Sequence, residues 1–263
     1  MRVHRAGIAK EIIAPDAGED LLAIEHAAGM GGQQIQQLHF ARRAGDGLAG
    51  KANAVALGLN FKRAVFERGQ LILARSARAR AAAGSDARMS GCEMPVVICS
   101  GSGNQGITAS VPVVVYAQAM GIDADTLLRA VVVSDLVTIH QKTGIGRLSA
   151  YCGAISAGCG AGAGIAYLLG GNLRTIAHTV VNAIAILSGT ICDGAKPSCA
   201  AKIAAAVEAG ILGYRMYQHH QEFYGGEGIV AKGVEDSIHN VGILASQGMR
   251  ETDRTILDIM THC

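Results

Sequence analysis

The segment Leu148-Ser-Ala-Tyr-Cys-Gly-Ala-Ile-Ser-Ala-Gly-Cys-Gly-Ala-Gly-Ala-Gly-Ile-Ala-Tyr-Leu-Leu169 decides the fold. It has no Asp, Glu, Lys or Arg, and it is built almost wholly from small residues. Two readings compete for it. Leu148–Leu173 and Thr175–Cys192 are each free of formal charge and long enough for a bilayer at ~20 residues. Against a membrane span, the first is only weakly apolar, and the second carries His178 and Asn182 in its middle. Aromatic belts at the ends are also missing. The segments therefore read as core helices of a soluble protein. Their small side chains let neighbouring helices approach closely.

Composition supports this. Half of the 263 residues are hydrophobic, 17% are charged and 4% are aromatic, with no Trp and 35 Gly. Ala, Val, Ile and Leu must supply the core, in thin layers. A net charge of +2 gives no basic face for nucleic acid. In Met1–Gly18, Lys10, Glu11 and Asp16 break any apolar run, so no signal peptide is read there. Seven cysteines, an odd number spread along the chain, fit a reducing cytoplasm. A homo-oligomer is left open.

Outward from the central segment, the expected organisation is a poorly defined N-terminal stretch, 1–51, and an all-α domain, 52–263. The fold class is mainly α, a bundle of Gly/Ala-rich buried helices, with little strand content near the N-terminal half. Phe61–Ala83 reads as an amphipathic helix with a solvated basic face. Pro95–Cys99 is a short β-branched run. Helices are expected over Ile107–Met120, from the N-cap Asp123 to about Gln141, and over Leu148–Leu169 and Leu173–Ser188. Ala201–Tyr217, Val234–Gln247 and Glu251–His262 complete the set. Two or three of these should be buried on all sides.

Two loops stand out. Ser100-Gly-Ser-Gly-Asn-Gln-Gly106 precedes a helix, where free backbone N–H groups and the positive dipole end suit an anion. It lacks the Gly-Lys-Ser/Thr ending of a P-loop. A flexible connection explains it equally well. The second loop, Thr190-Ile-Cys-Asp-Gly-Ala-Lys-Pro-Ser-Cys-Ala200, has Cys192 and Cys199 at its two ends, around a Gly/Pro turn. A free cysteine is most often core filler. At the ends of a turn filler is not needed, and dispersed thiolates suit an iron–sulfur centre better than a zinc knuckle. The residues themselves leave this at a metal or cluster site with an unassigned third ligand.

Four stretches carry a resemblance: Ser85–Cys92, Ser100–Thr108, Cys192–Lys196 with Cys199, and Glu251–Leu257. Together they resemble the L-cysteine desulfidase family, related to the α-subunit domain of iron–sulfur L-serine dehydratases. The resemblance runs from about Ala52 to His262. It implies a [4Fe–4S] cluster on Cys152, Cys192 and Cys199, the first following Gly146–Ala150. Three thiolates leave one iron open as a Lewis acid. The implied reaction is α,β-elimination of an amino-acid substrate: L-cysteine to pyruvate, ammonia and sulfide, or the analogous deamination of L-serine. Ser100, Gly101, Ser102, Gly103, Asn104 and Gln105 would bind the substrate carboxylate. Lys142 and Lys196 read as charge partners or as surface lysines at helix ends.

The sequence departs from the family in lacking the N-terminal Gly-Cys-Thr-Glu-Pro motif, whose cysteine is the family's proposed base. Cys92 is the remaining candidate for that role, with a buried turn position as the other reading. Cys99 and Cys159 stand where the family has small polar residues and receive no role. Cys263, last in the chain, reads as a cap on the open iron or as an incidental cysteine. A non-catalytic cluster-binding fragment is the alternative to the lyase.

Overall fold

The computed structural model describes residues 51–262, with side chains from residue 69 onward. Cys263 and all but the last residue of the expected segment 1–51 lie outside it. The chain divides into two compact units, Met1–Phe66 and Glu67–Cys263, and the second holds the helix bundle. The described residues form eight α-helices and no sheet. They are α1 (Lys51–Met89), α2 (Gly103–Met120), α3 (Ala124–Ile145), α4 (Gly153–Leu168), α5 (Leu173–Ile186), α6 (Cys199–Gln218), α7 (Val234–Ile243) and α8 (Arg250–Thr261). A π-helical turn, Leu244–Gly248, joins α7 towards α8. The fold is mainly α, as its sequence predicts. Pro95–Cys99 finds no partner strand, and only an isolated bridge forms between Cys99 and Ser102.

Helix ends follow local chemistry. Asp123 caps α3 by accepting from Thr126 N at 3.0 Å. Asn172 does the same for α5 through Thr175 N, also at 3.0 Å. Gly121, at φ 64°, ends α2 in the left-handed conformation that glycine adopts cheaply.

The centre of the unit is α4. Every residue of it except Tyr167 is buried, and α2, α3, α5 and α6 surround it. Of the two or three fully buried helices expected, α4 alone is buried on all sides. Its glycines make this physically workable. On one side, Gly158 meets Ala206 and Gly162 meets Gly210, both on α6. On the other, Gly160 meets Ser134 and Thr138, and Gly164 meets Ala130, all on α3. A Cβ on Gly162 would lie 2.7 Å from the Gly210 carbonyl oxygen, and one on Gly164 2.8 Å from that of Ala130. No real Cβ tolerates such distances, so backbones touch where side chains would normally intervene.

No helix among the described residues is long and apolar enough to cross a membrane. The uncharged segments bury their surface against neighbouring helices instead.

Candidate active site

The site is built where two chain segments cross. Ala150–Cys152 and Thr190–Cys192 run antiparallel, with an isolated bridge between Tyr151 and Ile191. Cys152 N donates to Thr190 O at 3.0 Å, and Cys192 N donates to Ala150 O at 2.6 Å. This crossing sets Cys152, the N-cap residue of α4, beside Cys192. Their thiols interact directly, that of Cys152 donating to that of Cys192. That hydrogen bond pushes the Cys152 thiol up, with burial adding to the shift. The same contact pushes Cys192 down to about 6, helped by the Gly194 N–H and by Lys202. Ala154 N–H supports the Cys152 sulfur in the same way.

Cys199 opens α6 at the far end of the same loop. Its sulfur accepts from Lys196 N at 3.4 Å and donates to Gly194 O at 3.8 Å. The loop is clamped by Asp193, whose carboxylate takes both Lys196 and Lys202, the latter at 2.8 Å. Lys202 also donates to Ile191 O at 2.8 Å. These lysines hold the Asp193 carboxyl well below its usual range. Lys202 faces all three thiols electrostatically. Cys152 and Cys192 are thus brought together, whereas Cys199 is on the same loop but turned onto its own backbone. Among the described residues, no three His, Cys, Asp or Glu side chains converge closely enough to hold a metal ion. The donor set, three thiols with N–H and ammonium groups around them, suits an iron–sulfur group chemically.

The Gly-rich loop abuts this crossing. Cys99 and Ser102 exchange backbone hydrogen bonds of 3.3 and 3.2 Å around Ser100 (φ 50°) and Gly101 (φ 92°). Two positive φ values make this a tight primed hairpin turn, not a slack connection. Ser100 holds its left-handed backbone without being glycine, a conformation that costs energy. α2 begins at Gly103, earlier than the expected Ile107, so Pro112 lies inside the helix. The first intrahelical bond runs from Gly106 N to Ser102 O, so the N–H groups of buried Gly103, Asn104 and Gln105 precede it and have no partner within the helix. Asn104 is engaged by Arg88 at 3.0 Å. Gln105 packs directly on Gly153, where a Cβ would come within 2.6 Å of Gln105 Cδ. Its Oε1 is buried and without a donor among the described residues. The N-termini of α2 and α4 therefore meet at Gln105 and Gly153, next to Cys152, and α6 starts on the facing loop.

The other cysteines stand apart. Cys92 is exposed after α1, its N–H bonded to Ala87 O at 3.0 Å. No hydrogen bond or ion pair among the described residues joins it to the thiols. Cys99 is bonded to Asp135, and burial pushes it up to about 11. Cys159 is buried inside α4, bonded to Gln141, and pushed up to about 12. Lys142 differs from its surface reading: it lies in the last turn of α3 and is buried. Lys202 was not legible as a site residue. Its one signal, a position one helical turn after Cys199, was available in the sequence.

The sequence has counterparts among known proteins. The family described as serine dehydratase alpha chain matches residues 16–258, and the chain belongs to that family. Among curated relatives, a UPF0597 protein of Desulfitobacterium hafniense is 67% identical over 186 residues, covering 71% of this chain and 43% of its own length. A UPF0597 protein of Finegoldia magna is 54% identical (70% and 44% covered), and one of Treponema denticola is 50% identical (70% and 43% covered). The matched part of this chain spans less than half the length of these relatives. No solved structure matches.

Proposed function

We propose that this chain carries the cluster-binding half of a lyase performing α,β-elimination on L-cysteine, releasing sulfide, pyruvate and ammonia. The observation that carries the reading is the contact of Cys152 with Cys192 directly beside the unspent N-terminus of α2. In this reading Cys152, Cys192 and Cys199 hold a [4Fe–4S] cluster, with Cys199 turning from Gly194 to join the other two. When bound, the cluster would supply a Lewis-acidic iron that polarises the departing β-substituent. The chain's own residues do the rest. Lys202, with the N–H groups of Ala154 and Gly194, stabilises the sulfurs as thiolates. The Asp193 clamp keeps the loop from fraying. Ser100, Gly101, Ser102, Gly103, Asn104 and Gln105 hold the substrate, with open N–H donors aimed at its carboxylate. Cys92, exposed and unconnected to the thiols, is a poor candidate for the base.

Family membership supports serine-dehydratase-like chemistry, and L-serine is the alternative substrate. A second reading is a cluster-binding fragment without turnover, which the exposed position of Cys92, apart from the thiols, favours. Anaerobic purification with iron and sulfide quantified, followed by pyruvate assays on both amino acids, tests these readings. A chain that takes up no iron after reconstitution overturns the lyase and fragment readings together. Iron uptake with pyruvate from serine alone favours the dehydratase.

A further inference from the structure

At the end of α6 away from the thiols, a cleft of about 340 Å³ is lined by Arg174, Tyr217, Gln218, His220 and Glu222. Its size falls within the ~300–1,000 Å³ range of small-molecule sites. α5 and α6 run antiparallel: Gly213 packs on Thr179 and Ala183, while Tyr217 meets His178. The first turn of α5 therefore lies beside the last turn of α6. Cys199 opens that helix, so its 20 residues separate the cleft from the thiol loop. At ~1.5 Å per residue this is about 30 Å.

The walls of the cleft are fixed. Asn182 is wholly buried. Its amide donates to Gly213 O at 3.1 Å and to Gln221 O at 3.3 Å, and its oxygen accepts from Phe223 N at 3.1 Å. Glu222 is thus pinned through both of its chain neighbours. Its Oε2 is buried 2.6 Å from Nδ1 of His178, off the line of a hydrogen bond. The His178 ring stacks on Tyr217, with centroids 4.5 Å apart and planes at 5°. Oε1 of Glu222 has no partner among the described residues and is the oxygen left for a ligand. Where α6 ends, Gln221 N donates to Met216 O at 2.8 Å, and His220 takes a left-handed backbone at φ 58°. Glycine would hold that position at less cost.

Charge decides the ligand. Arg174 lies in the first turn of α5, the positive end of that helix, and no acidic residue of the turn offsets it. Glu222 stands beyond the last turn of α6, the negative end. The basic residue of that turn, Arg215, is drawn away to Gln70 O at 2.7 Å. Arg174 and Glu222 line one cleft yet form no ion pair with each other. One wall calls for an anion and the other for a cation.

We propose that this cleft is a second binding site, for a free α-amino acid, with Arg174 receiving the carboxylate and Glu222 the ammonium group. The planar guanidinium fork matches a carboxylate. None of these residues belongs to the thiol crossing or the Gly-rich loop, so the site does not depend on the lyase reading.

L-Alanine is the probe, because it has both charged groups and no β-leaving group. Propionate, without the ammonium, and L-alaninamide, without the carboxylate, are the controls. Heteronuclear NMR of the isotope-labelled full chain shows where each binds. L-Alanine should shift the backbone amides of Arg174, Gln218, His220 and Glu222, with an affinity about tenfold or more above either control. Arg174→Gln should bring alanine down to the level of alaninamide, and Glu222→Gln should bring it down to the level of propionate. If either variant does not fold, the three ligands on wild type decide alone. No shift of the cleft amides at ~10 mM alanine, ten times a millimolar Kd, overturns the proposal. Propionate or alaninamide binding as well as alanine does overturns it too. So do shifts confined to Gly103, Gln105 and Gly153, which would place the amino acid at the candidate active site. Iron content and pyruvate release, which test the lyase reading, are separate measurements.

Discussion

Asp193 shows how much of the site depends on one side chain. It holds two lysines, and one of them faces the thiols. Its carboxyl titrates below the ordinary range, so its stabilisation is fully present above the unfolded value and is lost as pH falls through the lower folded value. Asp193→Asn should therefore lower the melting temperature at neutral pH and make less difference in strong acid. The expected cost near pH 7 is ~1 kcal/mol, because the pair is partly exposed. Thermal melts carried from pH 7 down to pH 1 would read this, and parallel curves for the two proteins over that whole range would refute it. The thiols separate as sharply. Cys152→Ser and Cys192→Ser should cripple cluster assembly, and Cys199→Ser should do the same, whereas Cys159→Ser should leave it largely intact. Full iron and sulfide in Cys192→Ser after anaerobic reconstitution would show the ligand assignment to be wrong.

At the scale of elements, the glycines of α4 set the spacing of the bundle. Gly158→Ala and Gly162→Ala push a methyl group into the backbone of α6, and each should destabilise by ~1–3 kcal/mol or more. Gly69→Ala provides the contrast. It lies within α1 with open space around it and without positive φ, so helix propensity alone should stabilise the protein by ~0.5–1 kcal/mol. Urea unfolding of the three variants checks both signs. The helices themselves were legible because Leu173–Ile186 and its neighbours show a clear period between caps such as Asp123 and Asn172. Two boundaries, the start of α2 and the end of α3, were not. Gly103-Asn-Gln-Gly106 looks like loop by composition, and only its packing on Val97 and Gly153 makes it a helix turn. Lys142 precedes Gly144 and Gly146, which read as a surface turn. Gly144 instead lets α3 run on against Gly242 of α7. The meeting of Cys152 with Cys192 depends on a crossing of distant segments, which no local pattern encodes. Family resemblance, not spacing, had paired them.

For the whole molecule, the proposed cluster ligands and the substrate loop all lie within one unit, and among its described residues no side chain stands beside them as a base. Elimination needs a group to take the Cα proton, and losing such a base costs ~10²–10⁴-fold. The chain alone should therefore assemble a cluster yet release sulfide and pyruvate from L-cysteine at a small residual rate. An ordinary enzymatic rate would place the base within these residues, and Cys92→Ala would then be the next variant to assay.

The burial of α4 on every side also has a consequence in time. Its amide protons have no route to solvent short of opening the helices around it, so they should exchange with deuterium last and report global unfolding. α8, with no buried residue, should exchange within the earliest time points. Cys152 begins the slow helix, while the Cys192–Cys199 loop is only half buried. A ligand that bridged them would tie the more exposed part of the site to the molecule's slowest clock, and the loop's amides would slow by the full measure of that tether.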